Sequence, residues 1–362
     1  MSSMSASGTA KVVLVTGVSR MLGARVAGAL QADPGIERVI GVDTVPPTAG
    51  QSRSLGRTEF VRVDIRTPNI AKVISTAEVD TVVHLNLVTA QTGARSRLAT
   101  KEINVIGTMQ LLAACQGSPH MRKLVVRSSA AVYGSSPRDP AVFTEDDEPV
   151  EPPTTGYAKD AVEVEGYVRG LLRRRSDLTV SLLRFANFLG PGVDSPLTRY
   201  FKLPVVATIL GFDPRLQFVH EDDGVEVLRR MAVEDHPGTF NVAGDGVMLL
   251  SQAVRRAGRP TVALPAPAVA ALGDAGRRFG GMTGFSPELQ RWLTYGRVIE
   301  TTRLAGELTW APKYDTEGAF ADFVESQGLG GNLPLAVFDR LSNVVGGLAG
   351  GFRDGGFGEK MR

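Results

Sequence analysis

Cysteine is almost absent from this sequence: Cys115 is the single one in 362 residues. One thiol excludes a disulfide within the chain and a zinc site built on cysteines, and it fits a reducing compartment. Residues 1–10 lack the basic and apolar regions of a signal peptide. We therefore expect a cytoplasmic protein that begins with a disordered leader at residues 1–10.

Long apolar runs and an excess of one charge are also missing. No stretch approaches the ~20 apolar residues of a membrane-spanning helix. The net charge is only +2, which is too small to indicate a nucleic-acid surface. Hydrophobic residues make up 43% and charged residues 22% of the chain, as in ordinary globular proteins. We expect no nucleic-acid partner and no spanning membrane segment.

Short apolar, β-branched runs alternate with helical patterns through the first half of the chain. The runs are residues 11–15, 38–43, 59–64, 80–85, 123–128 and 179–184. The helical patterns are residues 22–30, 70–76, 98–114 and 157–175. This alternation indicates an α/β fold with a doubly wound, Rossmann-like parallel sheet covered on both faces. A barrel of eight such units would need more repeats than occur before Gly190.

The sequence pattern changes after Gly190, where prolines interrupt a region of short helical and extended segments. We take residues 11–190 as the doubly wound, nucleotide-binding domain. Residues 191–328 are expected to form a smaller substrate lobe, discontinuous and interleaved with that domain, which includes pieces at 222–233 and 239–242. Residues 329–362 are expected to form a C-terminal tail with a weak amphipathic helix.

The loop between the first run and the first helix has the spacing of a phosphate-binding loop. Gly17 permits a tight turn, and Gly23 allows close packing of helix on strand. The helix N-terminus offers N–H groups to a pyrophosphate, with Arg20, Met21 and Leu22 beside it. The glycine usual between the two is missing, since Arg20 or Met21 stands there. An ordinary turn without a ligand is the alternative, but the spacing favours a dinucleotide.

Asp43 ends the second run and is followed by Thr44. A carboxylate there accepts hydrogen bonds from ribose hydroxyls and repels a 2′-phosphate, which favours NAD over NADP. Arg20 is the counter-argument, because it could pair with a 2′-phosphate; it could equally pair with Asp43 or face solvent. Asp64 and Ile65 follow the third run and are placed to meet an adenine, although Asp64 could also cap a helix.

Taken together, these features make the chain resemble the extended short-chain dehydrogenase/reductase family, and within it the NAD-dependent nucleotide-sugar epimerases and dehydratases of UDP-glucose 4-epimerase type. The resemblance covers about residues 11 to 325. The motifs that carry it, besides the phosphate loop and Asp64-Ile65, are His-Leu-Asn at 84–86, Asn-Val-Ile-Gly-Thr at 104–108, Ser-Ala-Ala-Val-Tyr-Gly at 129–134, Tyr157 with Glu165, Leu-Arg-Phe-Ala-Asn at 183–187, Phe-Val-His-Glu-Asp-Asp at 218–223 and Leu-Thr-Trp-Ala-Pro-Lys-Tyr at 308–314.

The resemblance implies roles for residues of the nucleotide-binding domain. Leu85 and Asn86 would line the cofactor channel, and Asn104 would brace the loop that carries the active site. Ser129 and Tyr157 would be the catalytic pair, a proton relay between the sugar and the nicotinamide. The implied cofactor is NAD.

The resemblance also implies the substrate and the assembly. Asn187 would contact a nucleotide sugar, expected to be a UDP-sugar, near its phosphates, and Arg303 is a further candidate for substrate binding. We expect His84 and His220 to be structural. Family members often dimerise through two helices, which here are residues 98–114 and 157–175, so a homodimer is expected.

One part of the expected relay is missing. The family places a lysine four residues after the tyrosine, where this chain has Ala161. An unperturbed tyrosine has a pKa near ~10, so only about one molecule in a thousand is phenolate at neutral pH. Lys159 lies about 200° around the helix from Tyr157 and points elsewhere. Two hypotheses stay open: an enzyme with an atypical active site, or a binding or regulatory protein that has lost turnover.

Overall fold

A computed structural model describes residues 10–88, 97–269, 271 and 286–331. Within these ranges, seven parallel strands form one sheet in the order β3-β2-β1-β4-β5-β6-β11. They are β1 (Val12–Thr16), β2 (Arg38–Asp43), β3 (Glu59–Arg62), β4 (Thr81–His84), β5 (Lys123–Ser129), β6 (Thr179–Phe185) and β11 (Gly238–Val242). The predicted doubly wound sheet is confirmed. Residues 1–9 and 332–362, which hold most of the expected leader and tail, lie outside the described residues.

The helices either cover the two faces of this sheet or pack in a separate core of the second half of the chain. They are α1 (Met21–Gln31), α2 (Ala49–Leu55), α3 (Asn69–Thr76), α4 (Arg97–Lys101), a π-helix (Glu102–Ile106), α5 (Gly107–Gly117), a short 3-10 helix (Ala130–Tyr133), α6 (Gly156–Arg174), α7 (Pro196–Lys202), α8 (Glu221–Val233), α9 (Leu250–Arg256), α10 (Pro287–Tyr295), α11 (Thr302–Leu308) and α12 (Thr316–Ser326). Within the described residues, none of the helices combines the length and apolar character that a membrane span requires.

The continuous apolar strands arise because the sheet is buried on both sides. Successive side chains of a strand point to opposite faces. In β1, Leu14 therefore packs in one core with α3, α5 and α6, whereas Val13 and Val15 pack in the other with α1 and α8. Alternation of polar and apolar residues is absent for the same reason.

Two elements beyond Gly190 belong with the main sheet, although the sequence grouped them with the substrate lobe. Strand β11 pairs in parallel with β6 at the sheet edge. Helix α8 packs against α1, and Val227, Leu228 and Met231 share the core of β1. Their apolar faces are buried by strands and helices of the first half, which a local pattern does not reveal.

The rest of the second half builds a smaller body from short strand pairs. The strands are β7 (Asn187–Leu189), β8 (Val206–Ile209), β9 (Arg215–Leu216), β10 (Phe218–His220), β12 (Met248–Leu249) and β13 (Thr261–Leu264). β7 pairs with β10, β9 with β12, and β8 with β13. A separate core of aromatic side chains holds this body together, including Phe201, Phe218, Trp292 and Phe320.

Candidate active site

A cavity of about 660 Å³ lies at the carboxyl ends of the parallel strands. Ligands bind at this edge in open α/β sheets. The phosphate loop forms part of its wall, and residues from the second half form another part. Of the residues predicted from the sequence, the cavity brings together Gly17, Arg20, Met21, Leu22, Gly23, Leu85, Ser129, Tyr157 and Asn187.

The backbone of the phosphate loop explains why glycine occurs at positions 17 and 23 but not at position 20. Gly17 has a φ of +78°, which favours glycine, and a Cβ at Gly23 would lie 2.2 Å from the carbonyl oxygen of Gly17. Arg20 has a φ of −124°, an ordinary extended conformation. The backbone at position 20 therefore does not require a glycine.

The N-terminus of α1 is a suitable anion site. Arg20 stands at the N-cap, where its side chain makes no capping hydrogen bond, and the first turn contains no acidic residue. The first-turn N–H groups of a helix need acceptors from outside the helix. Met21, Leu22 and Gly23 line the cavity. These residues fit the pyrophosphate of a dinucleotide.

Asp43 lies beside this loop. One of its carboxylate oxygens accepts a hydrogen bond from Ser19 N at 3.1 Å, and the other accepts from Thr44 N at 2.7 Å. Asp43 and Thr44 are outside the residues that line the cavity. The carboxylate thus shapes the loop, and its contact with a ribose stays a prediction.

Asp64 and Ile65 are engaged within the protein. Asp64 accepts from Arg66 N at 2.9 Å and from Arg66 Nη2 at 2.7 Å, and this side-chain hydrogen bond holds the pKa of Asp64 below its ordinary value. Ile65 is buried against Gly107. Pro68 occupies the N-cap of α3, so the alternative role of Asp64 as the cap of that helix is wrong. The adenine contacts remain predictions.

Asn104 connects the loop after β4 to helix α6. Its Oδ1 accepts from Val88 N at 2.8 Å, and its Nδ2 donates to Val88 O and to Asp160 Oδ2, both at 3.0 Å. Asp160 also pairs with Arg97 at 2.5 Å. Asn86 is the neighbour of Gly17, with its Cα 3.5 Å from the position of a Cβ there. Neither Asn86 nor Asn104 lines the cavity.

Ser129 and Tyr157 face each other across the cavity wall. Ser129 ends β5, and its Oγ accepts from Ala131 N at 3.1 Å. Tyr157 lies in the first turn of α6 and lines the same cavity as Ser129, whose hydroxyl lowers the pKa of the phenol. Glu288 of α10 accepts from Ala158 N at 2.9 Å and so holds the start of this helix. One cavity therefore contains the two hydroxyls that a proton relay would use.

Comparison with known proteins identifies the family. The model of the NAD dependent epimerase/dehydratase family matches residues 13–243. The chain belongs to this family. An uncharacterized protein of Mycobacterium bovis is 48% identical over 319 residues, which are 88% of this chain and 85% of that protein. A UDP-glucose 4-epimerase of Mycolicibacterium smegmatis is 27% identical over 188 residues, covering 50% of this chain and 57% of that protein.

Solved structures show the same fold. A UDP-glucose 4-epimerase of Thermotoga maritima, solved with UDP-glucose, has a TM-score of 0.67 at 18% identity and covers 88% of this chain and 98% of its own. A dTDP-glucose 4,6-dehydratase of Bacillus anthracis, solved with NAD, has a TM-score of 0.66 at 18% identity, covering 88% and 97%. The predicted family is confirmed, and NAD is its cofactor.

This epimerase/dehydratase family member departs from the expected relay at Ala161. The side chain of Ala161 is fully buried in the apolar core of α3, α5 and α6, with Val132 and Val164 in the same core. No cation reaches Tyr157 from that position. Burial raises the pKa of the Tyr157 phenol, and Glu288 acts in the same direction.

Two arginines and a serine oppose this rise in the pKa of Tyr157. They are Arg127, Ser129 and Arg297. Both arginines line the cavity. Sequence reasoning missed Arg127. A charged residue directly after the apolar run Leu-Val-Val at 124–126 was the available signal.

Glu165 does not line the cavity, and its carboxylate is bound by Ser128 and Arg184. Ser128 Oγ donates to Glu165 Oε1 at 2.6 Å, and Arg184 Nη2 donates to Glu165 Oε2 at 2.8 Å. Arg184 also donates to the hydroxyl of Tyr133 at 2.8 Å. The buried carboxylate thereby ties β5 and β6 to the middle of α6.

The remaining candidates lie apart from the cavity. Arg303 does not line it; its Nη2 donates to Asp146 at 2.6 Å. The ring of His220 stacks on Tyr314 at 3.8 Å between centroids, and its Nε2 lies 3.0 Å from Asp322. These contacts place His220 in a structural setting, and substrate binding by Arg303 stays a prediction.

His84 is buried between two hydroxyls. Its Nδ1 lies 2.8 Å from Thr16 Oγ1, and its Nε2 lies 2.8 Å from Thr108 Oγ1. Burial lowers the pKa of His84 from 6.5 to about 4. The imidazole is therefore neutral in the folded protein at pH 7 and resists protonation more strongly than in the unfolded chain.

This shift predicts a loss of stability in mild acid. The contribution of His84 to the free energy of unfolding is fully present above pH 6.5 and is lost as the pH falls toward about 4. The loss amounts to about 3 kcal/mol. Urea unfolding between pH 7.5 and 4 measures it. The variant His84→Gln, which keeps a donor and an acceptor but does not titrate, should show a flatter dependence. An unchanged pH dependence in that variant would contradict the assignment.

Proposed function

We propose that this protein is an NAD-dependent nucleotide-sugar epimerase or a related oxidoreductase of UDP-glucose 4-epimerase type, with an atypical active site. The observation that carries the proposal is the pairing of Ser129 with Tyr157 in the cavity that also contains the phosphate loop. Gly17, Met21 and Gly23 would hold NAD, which would supply a hydride acceptor at the cavity. The Tyr157 phenolate would accept the proton of the sugar hydroxyl, with Ser129 holding that hydroxyl.

Asn187 supports a nucleotide-sugar substrate, probed best with UDP-sugars. It opens β7 and lines the cavity beside Phe185 and Phe188. The relatives described above that carry an activity in their names act on UDP-glucose or dTDP-glucose. The sugar-binding part of the cavity would then lie between β7 and α10.

A second function is a binding or regulatory role without turnover. The burial of Ala161 and the raised pKa of Tyr157 favour it. In that case NAD and a nucleotide sugar would bind while the tyrosine stays protonated. Turnover, rather than binding, separates the two functions.

The decisive experiment is epimerase turnover with UDP-glucose and UDP-galactose in the presence of NAD. Because the pKa of Tyr157 is raised, the rate should climb through the alkaline range instead of reaching a plateau at neutral pH. Tyr157→Phe should reduce the rate by about 100-fold or more. The product sugar is measured by chromatography.

Tyr295→Phe is the matched control. Tyr295 lies on α10 but does not line the cavity, so its loss should leave the rate unchanged. Absence of turnover in the wild type across the pH range, with NAD and UDP shown to bind, would favour the binding function.

A further prediction concerns the choice of cofactor. Wild-type protein should bind NAD more tightly than NADP, because the Asp43 carboxylate, bound to Ser19 of the phosphate loop, would accept hydrogen bonds from ribose hydroxyls and repel a 2′-phosphate. Asp43→Ala should weaken NAD binding by about 1–3 kcal/mol, the cost of unpaired ribose hydroxyls. Calorimetry measures both. Asp43→Asn keeps an acceptor and should lie between the two, whereas tighter binding of NADP by the wild type would refute the assignment.

We also propose a homodimer and a cytoplasmic location. Apolar side chains stand exposed on the two helical segments predicted to pair: Leu98, Ile106 and Met109 on the first, and Tyr167 and Leu172 on α6. Each is more than a third exposed, and exposed apolar side chains on two adjacent segments would suit an interface between copies of the chain. The buried thiol of Cys115 is compatible with a reducing compartment.

Negative charges on the first of these two helical segments should prevent formation of the homodimer. The double variant Leu98→Glu with Met109→Glu should be monomeric, because a carboxylate buried against an apolar surface is costly. Light scattering after gel filtration gives the mass. Leu210→Glu, a change at an equally exposed leucine elsewhere, should leave the dimer intact. A monomeric wild type would refute the proposal.

A further inference from the structure

Arg127 has an unusual position in the cavity wall. It lies on β5 two residues before Ser129 and lines the cavity with Tyr157. Its Nη1 donates to Leu87 O at 3.0 Å, and its guanidinium carbon lies 5.4 Å from the ring centroid of Phe188. The charge is thus held between the segment after β4, the end of β5 and β7.

No acidic group compensates this charge at close range. Among the residues that the structure describes, no Asp or Glu lies within ion-pair distance of Arg127, and its buried Nε has no hydrogen-bond partner. Arg291, which lines the same cavity, pairs instead with Glu151 at 3.0 Å. A half-buried cation without a carboxylate partner is costly. Because no such partner offsets it, the positive charge of Arg127 acts on the other groups that line the cavity.

Tyr157 lines the same cavity as Arg127. The charged groups acting on its phenol are Arg127 of β5, Arg297 after α10 and Glu288 of α10, with the Ser129 hydroxyl beside them. Arg297 is fixed by donating to Gly134 O at 2.6 Å and to Ser135 Oγ at 2.9 Å. Glu288 is held at the start of α6.

The two arginines are alike in one respect: among the described residues, neither has an Asp or Glu within ion-pair distance. Asp139 and Glu288 act on Arg297 from farther away, and burial lowers the pKa of Arg297 to about 10. Arg127 differs in its place, because it lies two residues before Ser129 on β5 and so on the same face of that strand.

We propose that Arg127 is a positioning residue that supplies from strand β5 the positive charge which a lysine at position 161 would supply from helix α6. The inference rests on the proposed function, because the charge matters for turnover only if Tyr157 acts as the base. Arg297 adds a second, weaker contribution. The relay of this chain is therefore rearranged: the cation has moved from the helix to the strand.

A direct test is the titration of Tyr157 itself. Protein labelled with ¹³C at tyrosine Cζ reports phenolate formation by NMR, and Tyr157→Phe assigns the resonance. Arg127→Gln keeps an N–H donor for Leu87 O but removes the charge, and Arg127→Lys keeps the charge. The glutamine variant should raise the pKa of Tyr157 by about one unit or more, and the lysine variant should leave it closer to the wild-type value.

Lys159→Gln is the matched control. It removes a positive charge two residues from Tyr157 on the same helix, outside the cavity lining, and should leave the titration unchanged. Thermal unfolding of each variant verifies that it is folded. An unchanged Tyr157 pKa in Arg127→Gln overturns the inference. Equal rises in the glutamine and lysine variants overturn it as well, since they would show a structural role.

The pH–rate profile then separates this inference from the proposed function. If the protein is active, Arg127→Gln should shift the alkaline limb of the pH–rate profile to higher pH, by the same number of pH units as it shifts the Tyr157 titration in the NMR experiment. If turnover is absent while Arg127 still governs the titration of Tyr157, the proposed function fails and the electrostatic inference stands. If turnover is present but the titration does not respond to Arg127, the inference fails and the function stands.

Discussion

The candidate site depends on one constraint: the start of helix α6 must be held against the carboxyl edge of the sheet. Glu288 accepts from Ala158 N at the first turn, where a carboxylate also interacts favourably with the helix dipole. Asp160, one turn later, is bound by Asn104 and Arg97. These contacts come from three separate parts of the chain, and together they fix the direction in which Tyr157 points.

Further along the helix the fixation is electrostatic. Glu165 is nearly fully buried and takes hydrogen bonds from Ser128 and Arg184. Ser128 is the residue before Ser129, so the same network that anchors α6 also fixes the end of β5. Removing one partner of such a buried pair leaves an uncompensated charge, which is costly. The geometry of the proposed relay thus depends on the hydrogen bonds that Ser128 and Arg184 donate to the buried Glu165 carboxylate.

The sequence predicted what local patterns can encode. The six strands and the loop with Gly17 and Gly23 follow from apolar runs and from turn chemistry. Helix α2 was missed, although Thr48 and Gln51 form a capping box at its start. The placement of α8 and β11 was beyond local reasoning, because only pairing with α1 and β6 decides it. Glu288 was missed for the same reason: it is 130 residues from its partner Ala158.

The two departures from the family pattern have different physical weight. At position 20 the backbone is extended, so a side chain replaces glycine without strain, and the N–H groups of α1 still line the cavity. At position 161 the loss is chemical, since an alanine has no charge to offset a phenolate. In the proposed reaction, an arginine on a strand would supply that charge instead. The rate would then depend on how strongly charges from β5 and from the segment after α10 act on Tyr157.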